Sequence, residues 1–442
     1  MKKKILIITS ILLLIICIGY IYMYNNTIIQ IYTPKPYVSL GDASLEKLLK
    51  ANEIKEDTTQ MIKIMETTHP IFLETIPEKY KNAKEIFLKE TNKDMTTKDF
   101  QYCISRYLSS IKDGHTRIYC RDKYYLDVKL KYLNQKLVLL DEKNLPTDKV
   151  VTKINGVSID KVISTIDDLF PAENYVAKGV NISNYVKSQD LLTLAGIDCS
   201  KDMSLSVKDK EGEKDIQVNF QIPSYTVNNK HEISSKTIDD KTIYIKLETC
   251  ELNNSFGKTL DDLNKAVKNN IKNVIIDVRN NGGGTSNACL KLLEAIKMKP
   301  GNFGAVLRFS PLASERYGFL QKSGYYKDNQ SNNVTKNENI KLYVLMNENT
   351  FSSAQWMATW VKDGKLGTLV GQPCSNMPSS FGDALDFQLK NSKLEGQISH
   401  KKFLRPDKSK NDERVLEPDI KVDYSEDALN KALDTIKSNT LN

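Results

Sequence analysis

No C-x-x-C pair, no H-E-x-x-H and no P-loop glycine pattern occurs in the 442 residues, so neither zinc nor nucleotide chemistry has support. Histidine is scarce: His69, His115, His231 and His400 are the four groups with an ordinary pKa near neutrality. Charge of one sign is nowhere concentrated. The net +8 comes from scattered lysines, which reads as a solvated basic surface and not as a nucleic-acid arm. Beyond Cys17, six widely spaced cysteines lack the rhythm of a disulfide scaffold, and their state is left open between bridges and buried thiols. What is present is ordinary globular material, 40% hydrophobic and 27% charged, in a chain too long for one core. Two or three domains are expected.

The one long apolar run is at the start. Lys2, Lys3 and Lys4 precede ILIITSILLLIICIGYIYMY, Ile5 to Tyr24, which is long enough to cross a bilayer. It has no small-x-small cleavage site, and Ile16 before Cys17 is too bulky for a lipid-attachment site. The expectation is an uncleaved single-pass anchor over 1–24 in the cell membrane, with everything after Asn25 outside.

Residues 25–43 read as a tether, with Pro34 and Pro36 opposing helix. Residues 44–118 repeat apolar positions three or four apart and read as a helical domain, closed at Lys112–Thr116 where Gly114 supplies the stop. From 119 to 236 the pattern alternates. Strand-like runs lead through an Asn155–Gly156 turn to a helix, IDKVISTIDDLF, and a hairpin closes around Glu211–Gly212. That order resembles a PDZ-like domain, with an insertion over Pro171–Ile197. From 237 to 442, strands such as NVIIDVR and KLYVLM alternate with helices, which implies an α/β domain with a largely parallel sheet.

Two loops in that last region are candidates for chemistry, which in such sheets gathers at the carboxyl ends of strands. In NENTFSSAQW, Ser352 and Ser353 stand where a strand turns into a helix. Capping of the helix by Thr350 or Ser352 is the simpler reading of this stretch alone. The chemical reading is a nucleophile beside unpaired amides. In DVRNNGGGTS, the glycines Gly282, Gly283 and Gly284 leave the backbone bare, whereas a tight turn needs only one. If the strands are neighbours, amides of this loop and of Ser353 converge beside the Ser352 hydroxyl as an oxyanion hole.

NVIIDVRNNGGG followed about seventy residues later by LMNENTFSSAQWMATWVKDGKLGTLVGQP resembles the C-terminal-processing (tail-specific) serine peptidases. The resemblance implies a crotonase-like (ClpP/crotonase-type) α/β core, Ser352 as nucleophile three residues before Gln355, and oxyanion amides from Gly283, Gly284 and Ser353. It implies no metal or organic cofactor. Relatives with a Ser-Lys dyad carry the lysine at a position that falls on Met377 here, and Cys374–Asp383 contains no lysine. The KDGHT loop matches the Asp-Gly-His-Thr loops of lysine-less relatives. It offers His115 as general base, with Asp113 or Asp383 orienting it; the alternative is a histidine that only holds its own loop. Asp363 aligns with a family aspartate near the serine and is a further candidate orienting carboxylate; the alternative is a structural role. His69, before Pro70, and His231, in a polar stretch, read as surface residues; His400 follows a strand and is a second candidate.

The reading is therefore a membrane-anchored, outward-facing serine endopeptidase acting on peptides or unfolded protein segments, with no nucleic-acid partner. Its rivals are a catalytically inactive peptide-binding or sensing protein and, from what some relatives do, a binder of apolar small ligands. Substrate identity and oligomeric state have no signature in the sequence.

Overall fold

Near-continuous apolar strands need cover on both faces, and those of the C-terminal half find it in a parallel sheet between helices. In the computed structural model the described residues are 13–19, 35–120, 122–222 and 231–441. Most of the apolar run Ile5–Tyr24 lies outside them; its described part, 13–19, is helical and exposed. Among the described residues no helix is long and apolar enough to cross a membrane.

Three helices come first: α1 (Ala51–Thr68), α2 (Glu78–Glu90) and α3 (Thr97–Ser109). Thr96 caps α3 by accepting from the Asp99 N–H, and Phe87, Phe100 and Tyr107 stack at its centre. Residues 35–43 of the expected tether are not free. Tyr37 donates to Glu395 and the Leu40 N–H to Gln388, which fastens them along a sheet.

An antiparallel sheet follows, built from β1 (Leu130–Leu133), β2 (Lys136–Leu140), β3 (Pro146–Ile154), β4 (Met203–Asp209) and β5 (Gly212–Val218). Its order is β5-β4-β3-β2-β1, and Val157–Ser158 hairpins back onto β3. Between β3 and β4 run α4 (Ile159–Leu169), α5 (Tyr175–Tyr185) and α6 (Gln189–Leu194). The expected insertion is thus two helices, α5 and α6, with the short segment Pro171–Asn174 leading into them.

The last region forms two sheets. The first comprises β6 (Ile233–Asp239), β7 (Thr242–Leu247), β8 (Asn273–Asp277), β9 (Lys341–Met346), β10 (Thr368–Gly371) and β11 (Ile420–Lys421) in that spatial order. All its pairings after β6/β7 are parallel. Val274, Ile275, Ile276, Val344 and Leu345 are fully buried, each stabilising the fold by about 1.5–3 kcal/mol. The helices Asn254–Lys268, Ser286–Ala295 and Ser353–Asp363 cover one face, and Ala428–Leu441 packs on the other. In the second sheet the long strands Phe381–Gln388 and Glu395–Leu404 pair antiparallel, and Arg117–Ile118 adds to the latter. That pairing draws the KDGHT loop against the C-terminal half. All cysteines among the described residues are free thiols.

Candidate active site

β8 and β9 are parallel neighbours with Asp277 opposite Leu345, so the loops leaving them start side by side at the same sheet end. Hydrogen bonds then lock one onto the other. The Phe351 N–H donates to Asn281 O at 2.9 Å, the Thr350 hydroxyl to Val278 O at 2.9 Å, and Ser353 Oγ to Gly284 O at 2.7 Å. Asn281 is fully buried, anchored by its Nδ2 to Leu247 O at 2.7 Å.

Ser352 has φ 53° and ψ −125°, a left-handed backbone in a residue with a Cβ. Such a conformation costs about 1–3 kcal/mol and persists only where surroundings impose it. It stands at the N-cap position of the helix Ser353–Asp363, yet its side chain makes no cap hydrogen bond. Thr350 does not cap either: its hydroxyl oxygen accepts from the Asn347 N–H and its hydrogen goes to Val278 O. The capping reading of this stretch fails, and the Ser352 hydroxyl is left for other work. Its N–H donates to Oδ1 of the buried Asn376 at 2.9 Å.

The glycine loop passes directly beneath. A Cβ on Gly283 would lie 2.7 Å from Ser352 Cβ and 3.1 Å from Ser353 N, and φ is +106° there. The Gly283 N–H itself donates to Asn281 Oδ1 at 2.8 Å. Of the three amides expected to form an oxyanion hole, that of Gly283 is therefore engaged, whereas those of Gly284 and Ser353 have no partner among the described residues. Gly283 serves by being small. We expect Gly283→Val to slow acylation of Ser352 by ~10²-fold, the scale of losing one oxyanion donor, because the added methyls displace the elbow. Wild-type labelling kinetics in a folded valine variant would remove this loop from the chemistry.

His115 is 8% exposed, and its ring lies 4.6 Å, centroid to centroid, from that of Phe351, the residue before Ser352. Neither ring nitrogen has a hydrogen-bond partner among the described residues. Burial holds its pKa below the ordinary 6.5, with the Asp113 charge opposing, so the imidazole is neutral at pH 7. Asp113, 3.8 Å from His115 Nδ1, is the hub of the loop. It accepts from the His115 N–H, Thr116 Oγ1, Ser399 Oγ and His69 Nε2. Burial opposes its charge, but the His69 hydrogen bond and the nearby imidazoles hold its carboxyl well below the usual range. His69 is thus no surface residue. It is fully buried, because Asp113 needs a donor there. Nor does Gly114 stop the helix. α3 ends at Ser109 and the left-handed residue is Lys112, whereas a Cβ on Gly114 would meet Phe351 and Glu173 at 3.2 Å.

The other carboxylates are spent elsewhere. Asp363 lies about 16 Å along its helix from Ser352 and forms a two-pronged ion pair with the buried Arg405, at 2.5 and 3.1 Å. That pairing is the structural role, one of the two readings the sequence left open for it. Asp383 takes Tyr317 and Lys401 as partners and, through its backbone carbonyl, His400. Its side chain makes no hydrogen bond to His115. His400 is fully buried, and burial pushes its pKa down to about 4. No lysine hydrogen-bonds Ser352 among the described residues, and Met377 stands where relatives place one.

Asn376 and Glu173 were not foreseen. Glu173 accepts from Gly114, Asn376 and Met377 and approaches His115 and Asp113, with one ligand atom of each within 4.8 Å of the others. That trio is the one grouping among the described residues with metal-like donors. Its carboxylates already accept four and three hydrogen bonds, which an ion would have to displace. A separate cleft of about 820 Å³ is lined by β1, α5, Glu348, Asn349 and Tyr424; Ser352 and His115 are not in its wall.

Residues 241–422 match the model of peptidase family S41. No curated protein matches the sequence. Among solved structures, the chain is similar to mature CPAF complexed with lactacystin, at 13% identity over 88% of this chain and 99% of that one, with a TM-score of 0.60. A second structure of mature CPAF gives 13%, 87%, 97% and 0.60 in the same order. A photosystem II D1 C-terminal processing protease aligns at 12% identity over 85% of this chain and 93% of that one, with a TM-score of 0.44. At such identities the CPAF likeness speaks for the fold. Both loops lie inside the matched span; His115 and Glu173 lie outside it.

Proposed function

We propose that this chain, whose residues 241–422 match peptidase family S41, is a serine peptidase that cleaves peptides or unfolded protein segments through an acyl-enzyme on Ser352. The observation that carries this reading is the elbow: a serine held in a strained backbone, relieved of capping, beside two unengaged amides. Ser352 Oγ attacks the scissile carbonyl as its proton passes to His115, and the oxyanion is received by the amides of Gly284 and Ser353. The imidazolium then protonates the departing amine, and water, deprotonated by the same ring, releases the acyl group. Asp113 orients the ring and favours its charged form. What supports reading the chain as a lysine-less Asp-Gly-His-Thr relative is the KDGHT loop and the absence of lysine from Cys374–Asp383. One observation favours the rival, a non-catalytic peptide binder: neither nitrogen of His115 reaches Ser352 in this arrangement. Relays of this kind often close only around substrate. A fluorophosphonate, which captures a nucleophilic serine by losing fluoride, separates the two. Labelling that depends on Ser352 supports the peptidase; its absence from the folded wild-type chain supports the binder.

The reading also places the catalytic half outside the cell, anchored by the apolar run after Lys2–Lys4. Sequence alone supports this. Protease shaving of intact cells is expected to remove the part after Asn25; complete protection would reverse the orientation.

A further inference from the structure

Glu173 belongs to the Pro171–Asn174 segment between α4 and α5, in the β-rich part of the chain, yet its carboxylate ends inside the candidate active site. It is 3% exposed. Oε1 accepts the Gly114 N–H at 3.0 Å; Oε2 accepts Asn376 Nδ2 at 2.8 Å and the Met377 N–H at 2.6 Å. Two of these donors are one step from a reacting group. Gly114 precedes His115, and the Asn376 side chain takes the Ser352 N–H with its other end. The segment is itself stitched down: Asn174 Nδ2 donates to Cys374 O at 3.3 Å and Arg414 O at 2.9 Å, and the Arg414 guanidinium donates to Glu173 O.

We infer that Glu173 is a positioning residue that seats the His115 loop against the Ser352 elbow, so that nucleophile and base form one site only while its carboxylate accepts from both sides. The inference rests on the Ser352–His115 reading. A carboxylate suits the task because it is acceptor-only, with lone pairs for three N–H groups on two oxygens. A protonated carboxyl or a primary amide must turn a hydrogen toward one of those donors and loosen its seat. Burial, with the charge of Asp113, raises the carboxyl to about 7 against the pull of its donors. The charged and titratable groups around it are Asp113 and His115 on the loop, Arg414 beyond the second sheet, and Lys79, Lys112, Asp167 and Lys178 around an adjoining cleft of about 370 Å³. Site assembly therefore tightens as pH rises through about 7.

The test is the pH profile of fluorophosphonate labelling of the purified full-length chain, compared among wild type, Ser352→Ala, Glu173→Gln and Gly114→Ala. Glu173→Gln is expected to label about tenfold more slowly at pH 8, with the gap closing toward pH 6 and the step near pH 7 gone. Gly114→Ala pushes on the same contact from the other side, where the new Cβ meets Oε1 and the Phe351 ring at 3.2 Å, and is expected to shift or flatten the same step. It covers the case in which the glutamine variant fails to fold. If a folded variant of either kind keeps both the wild-type rate and the wild-type profile, Glu173 is no positioning residue. If the wild-type chain shows no Ser352-dependent labelling, the reading beneath the inference falls, and the inference with it.

Discussion

Ser352→Ala will erase fluorophosphonate labelling while leaving the thermal transition within ~2 °C of wild type. Loss of labelling follows from the absence of a second hydroxyl in the same position: Ser353 Oγ is committed to Gly284 O. Preserved stability follows from the hydrogen bonds. A helix-capping serine replaced by alanine costs about 1 kcal/mol, but Ser352 makes no side-chain cap bond to lose. Its main contact, N–H to Asn376 Oδ1, is backbone and survives the change. The two readouts together separate chemistry from architecture. Equal labelling of the alanine variant would move the nucleophile elsewhere; a large fall in the transition would return Ser352 to a structural role.

Much of the catalytic half was legible before any coordinates. KLYVLM is apolar at five of its six positions, which reads as a strand covered on both faces. Three glycines after NVIIDVR exceed what a turn needs, which marked a place where backbones meet. Convergence of the two loops was conditional in the sequence and became fact through one topological detail, the parallel pairing of β8 with β9. Which amides stay free beside Ser352 was legible only in part. That Asn281 takes the Gly283 N–H depends on a side-chain rotamer, and no spacing rule encodes that.

Residues acting across long separations left no trace. Glu173 meets Asn376 over 203 positions, and both lie in irregular segments where periodicity says nothing. The only signal was indirect, in that Met377 replaces the expected lysine and something else must organise the Cys374–Asp383 loop. His69 misled for a related reason. A histidine before proline at a helix end looks solvent-facing, and it is buried because a carboxylate from another loop requires its proton. Asp363 aligned well with the family position but is held by Arg405, a partner 42 positions away. Local pattern carries the elements and the backbone of the site. Pairing of charged side chains, decided by packing between elements, does not show in one sequence.

His115→Ala is the second large effect: labelling should fall by ~10³-fold, within the range of general-base assistance. The pH profile carries the sharper information. A base must be neutral to accept the Ser352 proton, so labelling rises with pH through the His115 titration. Burial places that titration below 6.5, since a charged imidazole there would lose its hydration. The sign is therefore fixed: the His115 step is complete by neutral pH and is lost as the solution is acidified. It is distinct from the step near 7 ascribed to Glu173, which should persist in the alanine variant at its reduced rate. Asp113 remains ionised over this whole range, its carboxyl held far below it by His69 and its other donors, and adds no step. Reciprocal loss is the expected pattern: His115→Ala removes the lower step and Glu173→Gln the upper. His400, buried and bound to the Asp383 carbonyl, is pushed down to about 4, and His400→Ala should leave both steps in place. A His115→Ala protein that labels at the wild-type rate with both steps intact would make this histidine a structural part of its loop.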